Sequence, residues 1–235
     1  MCTVTFIPSG DSFFLTSNRD EQITRLIAVA PKKYWHNNIC LLYPKDSDAG
    51  GTWISANEKG ESGVLLNGGI KPHERKPNYR HSRGLLLQLT LSNPDPALFL
   101  SQYDCSDIEP FTIVLFAGGK LTEYIWDGEQ KYIKELDTQL RYIWSSVTLY
   151  PPDIIEKRKN WFAEWTSGNP TPSQEEIINF HSSTGDGDLE NDLVMNRNTL
   201  HTVSITSIAL NHSSVKMDYT DMNCQSQTIQ QMQLH

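Results

Sequence analysis

The chain has 235 residues, 38% of them hydrophobic, enough apolar material for a sizeable layered core. Its 28 acidic and 20 basic residues give a formal net charge of −8, and no Lys/Arg-rich run interrupts that balance, which excludes a nucleic-acid backbone as partner. No stretch reaches the roughly 18 apolar residues of a membrane helix, and no basic-then-apolar leader opens the chain, so the expectation is a cytoplasmic protein without transmembrane segment.

Short apolar runs between turn signals dominate both ends. Thr3 to Ile7 and Ser12 to Thr16 flank the turn-rich "PSGD" and read as a β-hairpin. Thr52 to Ala56 and Gly63 to Leu66 repeat that grammar. Ser82 is placed to cap a helix over "RGLLLQLTL", which is apolar enough to lie on a sheet, and Pro96 suits the first turn of "PALFLSQY". "FTIVLFAGGKLTEYIWDGEQKYIKEL" holds two turn signals and predicts a meander of strands. After Pro151-Pro152, helical spacing puts Ile154, Lys157 or Arg158, Trp161 and Trp165 on one face. Ser173 and Glu176 form a capping box that opens "QEEIINF", and Ser182 to Asp192 reads as an acidic loop. "HTVSITSIAL" and "SVKMDYTD" flank "NHSS" as a last hairpin, with alternation too imperfect to say which face is buried. Strands at both ends with helices between them predict layered α+β architecture. Without a linker or repeat, one domain over 1–235 is expected.

The chemistry gathers at the start. Cys2 follows Met1 directly, and a small second residue permits removal of Met1. That leaves a thiol and a free α-amine on one residue. The amine titrates near pH 7.7–8.0 in model peptides, roughly where a general base should. The first hairpin brings Cys2 opposite residues 17 or 18 by a simple register count. Asn18, Arg19 and Asp20 then emerge beside it. A guanidinium favours the thiolate, and Asp20 is placed to orient the amine or Arg19. Cys2, Cys40, Cys105 and Cys224 show no CxxC or zinc-type spacing.

"MCTVTF" followed by "SNRDE" resembles the NRDE family, also called the transport and Golgi organization protein 2 family. "AGGTWISANEKGESGVLLN" and "HSRG" (Ser82-Arg83-Gly84) extend the likeness, as do "IWSSVTLYPP" and "HTVSITSIAL". That family in turn resembles N-terminal-nucleophile hydrolases related to penicillin V acylase and conjugated bile acid hydrolase. The resemblance implies a four-layer αββα sandwich and attack on a linear amide carbon, giving an acyl-enzyme that water hydrolyses. It implies Cys2, Arg19 and Asp20 as catalytic residues, with Asn18, Asn67 and Ser146 against a small-molecule substrate, and no metal or cofactor. It equally allows a non-catalytic carrier for a lipid-like, acyl-CoA-like or haem-like ligand on the same fold.

Two departures weigh on activity. Ser146 stands where relatives carry an oxyanion-stabilising Asn, and Val203 where they carry a late Arg; Arg197 is the nearest basic residue in sequence. Losing one oxyanion donor costs about 10²–10³ in rate. His73 and His81 lack helical zinc spacing and read as solvated, and Trp53 reads as a packing residue.

Overall fold

The computed structural model describes residues 3–10 and 12–235. In chain order its elements are β1 (Thr3–Ser9), β2 (Ser12–Gln22), β3 (Val29–His36), β4 (Ile39–Lys45), β5 (Ile54–Asn57), β6 (Ser62–Asn67), α1 (Arg83–Leu91) and α2 (Pro96–Gln102). There follow β7 (Phe111–Ala117), β8 (Lys120–Trp126), β9 (Lys131–Leu136), β10 (Tyr142–Ser145), α3 (Pro152–Gly168) and α4 (Gln174–Ser183). The chain closes with β11 (Asn196–Arg197), β12 (Leu200–Leu210), β13 (Ser214–Asp221) and β14 (Ser226–Gln233).

Two antiparallel sheets result. One runs β10-β1-β2-β12-β13-β14, with β11 paired to β12. The other is a sequential meander from β3 to β9. The sheets pack face to face because every strand near the joint sends alternate apolar side chains inward. Val4, Phe6, Phe13 and Leu15 of the first sheet meet Trp53, Ile54, Val64 and Leu121 of the second. The opposite faces are also apolar and are covered by helices. Leu86, Leu87, Leu91 and Leu100 of α1 and α2 pack on Leu65 and Ile113. Phe162, Ile177 and Phe180 of α3 and α4 pack on Ile7. The molecule is the expected four-layer αββα sandwich, α+β in class.

Coverage on both faces explains the imperfect alternation of β12. Ile205 and Ile208 are both buried although they face opposite ways. A strand between two apolar layers has no polar face to show. The turns follow local chemistry: Gly10 sits at φ +59°, and Asn37 and Asn38, at +50° and +65°, reverse the chain between β3 and β4. Ser82 caps α1, Pro96 opens α2, and Ser173 with Glu176 completes the capping box of α4. On α3 the expected face is only partly buried, and of Lys157 and Arg158 it is Arg158 that is buried. Arg158 and Phe162 are its buried residues, and Trp161 and Trp165 lie at the margin. Strands β3, β4, β10, β11 and β14 add to those expected from sequence.

Candidate active site

The pleat of β2 decides where its polar end points. Phe13 and Leu15 face the other sheet, whereas Phe14 faces the helices. Continued alternation sends Arg19 between the sheets, and Asn18 and Asp20 to the helix side. The register corrects the earlier count: residues 18 and 17 are paired by Thr3 and Val4. Ser9 pairs with Ser12 across the two-residue connection. Cys2 itself lies outside the described residues.

Arg19 is 3% exposed and lies with its guanidinium 4.5 Å above the Trp53 ring. Its Nη2 donates to Asp46 Oδ2 at 2.5 Å and lies 3.5 Å from Glu21 Oε2. Arg25 reaches the other Asp46 oxygen at 2.7 Å. Burial pushes the Asp46 carboxyl up, but the Ala49 N–H and the two guanidiniums outweigh it and leave the pKa lowered. Trp53 thus packs, as expected, and also forms the platform for the cation.

Asp20 faces the other way. Tyr150 donates to its Oδ2 at 2.9 Å and Thr202 to its Oδ1 at 2.5 Å. A bulge at Val203 makes the second contact possible. Ser204 pairs with Arg19 and Thr202 with Asp20, so the extra residue turns Thr202 to the helix side. Val203 is therefore a bulge residue, and Arg197 bonds the carbonyls of Leu149 and Glu190 instead.

Asn18 is fully buried against α4. Its Nδ2 donates to the carbonyls of His181 at 3.0 Å and Leu193 at 2.7 Å. Its Oδ1 therefore accepts from His181 Nδ1, and the other ring nitrogen accepts from Thr5 Oγ1 at 2.8 Å. Burial, with Arg158 nearby, lowers the His181 pKa to about 3, so the ring is neutral. Asn18 thus holds the sheet to the helix layer rather than lining a cavity.

Fully buried Arg158 of α3 donates to Thr3 Oγ1 at the start of β1. It also donates to the carbonyls of Asn191 and Asp192, and stacks 3.6 Å from the Tyr150 ring centre. Helical spacing offers Arg158 only as an alternative to Lys157, and Tyr150 and His181 carry no sequence signal, because each is a single polar residue on an otherwise ordinary segment.

Two cavities open at this end of the sandwich. One of about 360 Å³ is lined by Arg19, Trp53, Asn67, His81 and Arg83, among others. A second, of about 280 Å³, is lined by Asn67, Ile125, Trp144 and Ser146, among others. Asn67, the last residue of β6, borders both. Ser146 Oγ donates to the Asn67 carbonyl at 2.7 Å and lies 2.9 Å from Thr148 Oγ1. Of the six residues expected in the site, Arg19, Asn67 and Ser146 border these cavities, whereas Asn18 and Asp20 support them from behind. The first cavity also joins two segments singled out in the sequence. Thr52 N donates to Gly84 O at 3.2 Å, and a Cβ on Gly51 would lie 2.6 Å from the Gly84 carbonyl carbon.

The histidines differ from expectation. His73 lies 3.4 Å from Glu109 and His81 lies 2.6 Å from the Tyr103 hydroxyl, so both are partnered rather than solvated. Among the described residues no cluster of three or more His, Cys, Asp or Glu is arranged to hold a metal ion. Among the described residues no helix is long and apolar enough to cross a membrane.

The model of the family described as "Transport and Golgi organisation 2" matches residues 1–230. The chain belongs to that family. No curated protein matches it. Among solved structures it is similar to a mutant conjugated bile acid hydrolase from Clostridium perfringens, with TM-score 0.58 and 11% identity over 100% of this chain and 97% of that one. It is also similar to a Caenorhabditis elegans ortholog of N-acylethanolamine-hydrolyzing acid amidase, with TM-score 0.62 and 12% identity over 88% and 92%. At such identity these likenesses establish the fold, that of the N-terminal-nucleophile hydrolases, and nothing finer.

Proposed function

We propose that this family member is an N-terminal-nucleophile cysteine hydrolase that cleaves a linear amide C–N bond through an acyl-enzyme at Cys2. The observation that carries the reading is Arg19. A buried guanidinium on the strand paired with β1 is directed between the sheets and into a cavity. Cys2 is one peptide bond from Thr3, which pairs with the neighbour of Arg19. Arg158 and Tyr150 tie that corner to the helix layer.

Removal of Met1 frees the Cys2 amine. The amine takes the thiol proton, the thiolate adds to the amide carbon, and the carbonyl oxygen becomes the oxyanion. Collapse breaks C–N, and the ammonium returns its proton to the departing amine. Water then attacks the thioester with the amine as base, releasing the acid and restoring the thiol. In this reading Asn67, which borders both cavities, donates to the oxyanion. Arg19 favours the thiolate.

One observation favours carriage without turnover. The Ser146 hydroxyl is engaged with Asn67 and Thr148, so it is a poor substitute for an oxyanion-binding amide. Both readings are separated by intact mass and peptide mapping of the full chain treated with p-nitrophenyl dodecanoate. One acyl group at Cys2 of a Met1-trimmed chain, released by hydroxylamine, is expected. Retained Met1 without acylation, or acylation at exposed Cys224 alone, overturns the hydrolase and leaves the carrier.

A further inference from the structure

The larger cavity runs against the charge of the protein. The chain is −8, yet this lining sets four arginines, Arg19, Arg25, Arg75 and Arg83, against the three carboxylates Glu21, Asp46 and Glu109. Arg19 and Arg25 are neutralised on one wall by Asp46 and Glu21, with Asp48 beside Arg25. On the other, one carboxylate serves two arginines. Glu109 Oε2 is 3.1 Å from Arg83 Nη2, and its Oε1 is 3.9 Å from Arg75 Nε and 3.4 Å from His73 Nε2.

Arg83 also donates to the Pro110 carbonyl at 3.1 Å, which satisfies a donor without supplying charge. Burial pushes the Arg83 guanidinium below its ordinary value, and Glu109 only partly offsets that. Trp53 is 2% exposed, borders the cavity and has no acceptor for its indole N–H among the described residues. The first turn of α1 contributes Arg83 and Gly84 to the lining, so the positive end of a helix dipole adds to the wall. Arg75, with its side chain 79% exposed, stands at the rim as the surplus cation.

We propose that this wall is a subsite for an oxyanion, a carboxylate or a phosphate carried by the ligand, held by Arg75 and Arg83. It rests on the reading of this cleft as the ligand site. Planar guanidiniums suit either anion through paired N–H donors. The adjoining cavity, with Leu66, Ile70, Ile125 and Trp144 in its lining, suits the apolar remainder of the same molecule.

Calorimetry on the full chain carrying Cys2→Ala separates binding from turnover. Three amphiphiles of equal chain length are compared below their micellar concentrations: N-dodecanoylglycine, dodecyl phosphate and the neutral N-dodecanoylethanolamine. At least one anionic probe is expected to bind about tenfold or more tightly than the neutral one, in line with a charge-assisted hydrogen bond. Arg75→Gln removes most of that margin without changing the neutral probe. Preference for only the carboxylate or only the phosphate supports the subsite and identifies its anion. Equal binding of all three overturns it, as does failure of all three to bind. So does an anion preference unmoved by Arg75→Gln and Arg83→Gln; rim-exposed Arg75 keeps the test open if the Arg83 variant does not fold. A wild type acylated at Cys2 but lacking anion preference keeps the hydrolase and loses the subsite.

Discussion

At the scale of single residues, His181 converts burial into acid sensitivity. Its folded pKa is depressed to about 3, and an unfolded histidine titrates near 6.5. Between those values the unfolded chain binds a proton that the native ring does not. Stability is therefore full above the unfolded value and declines as pH falls from about 6.5 towards 3. At pH 5 the loss from this group is about 2 kcal/mol. Carboxylates such as Asp46, whose pKa is also lowered, add their loss further down, below their own unfolded values. Urea unfolding at pH 7 and pH 5 is expected to show the drop, and His181→Gln to flatten it. A wild-type stability unchanged between the two would mean that the ring is not held neutral by Asn18 and Thr5.

At the scale of elements, α1 meets the loop before β5 backbone to backbone. A Cβ on Gly51 would lie 2.6 Å from the Gly84 carbonyl carbon, and one on Gly84 would lie 2.8 Å from Thr52 O. Backbone cannot step aside as a side chain can, so Gly51→Ala is expected to destabilise by roughly 1–3 kcal/mol. Gly168→Ala, at the end of α3 with nothing within 4 Å, is the control and should stay within about 0.5 kcal/mol. Equal unfolding midpoints for the two variants would show that the contact yields freely. Elements of this kind divide by legibility. The hairpins β1–β2, β5–β6 and β12–β13, the meander β7–β9, the caps at Ser82 and Ser173 and the helix-opening Pro96 were legible, because each depends on residues a few positions apart. The partner strands were not. β2 lies between β1 and β12, with Thr16 bonded to Ser207, and no local pattern specifies a pairing of that separation. Strand β3, with Lys32 and Lys33 exposed on a sheet edge, lacks the alternation that would mark it. On α3 the spacing left Lys157 or Arg158 open, and the contacts to Thr3 and Asn191 decide for Arg158.

At the scale of the whole molecule, the two sheets are joined by apolar contacts along most of their faces and by charge at the site end. This also sets how far the site could be read. Arg19 and Asp20 were legible as a motif, but consecutive strand residues face opposite layers, so one borders a cavity and the other is a bolt to Tyr150 and Thr202. The contact of Arg158 was not legible, since its partner Thr3 is 155 positions away. Arg19 of the first sheet bonds Asp46, which follows β4 of the second, and its side chain is 4% exposed. Breaking such a pair leaves a desolvated cation, and Asp46→Asn is expected to cost about 3–5 kcal/mol. Adding Arg19→Met to Asp46→Asn removes the orphaned buried charge while the Asn side chain still accepts from the Ala49 N–H, and is expected to recover much of that loss. The single and double variants should therefore depart from additivity by more than about 0.5 kcal/mol in urea unfolding. Strict additivity would show that the pair does not join the sheets. The same double variant separates structure from chemistry. If it regains stability yet is no longer acylated at Cys2, then Arg19 acts on the thiol; if acylation returns with stability, the guanidinium serves only as the joint.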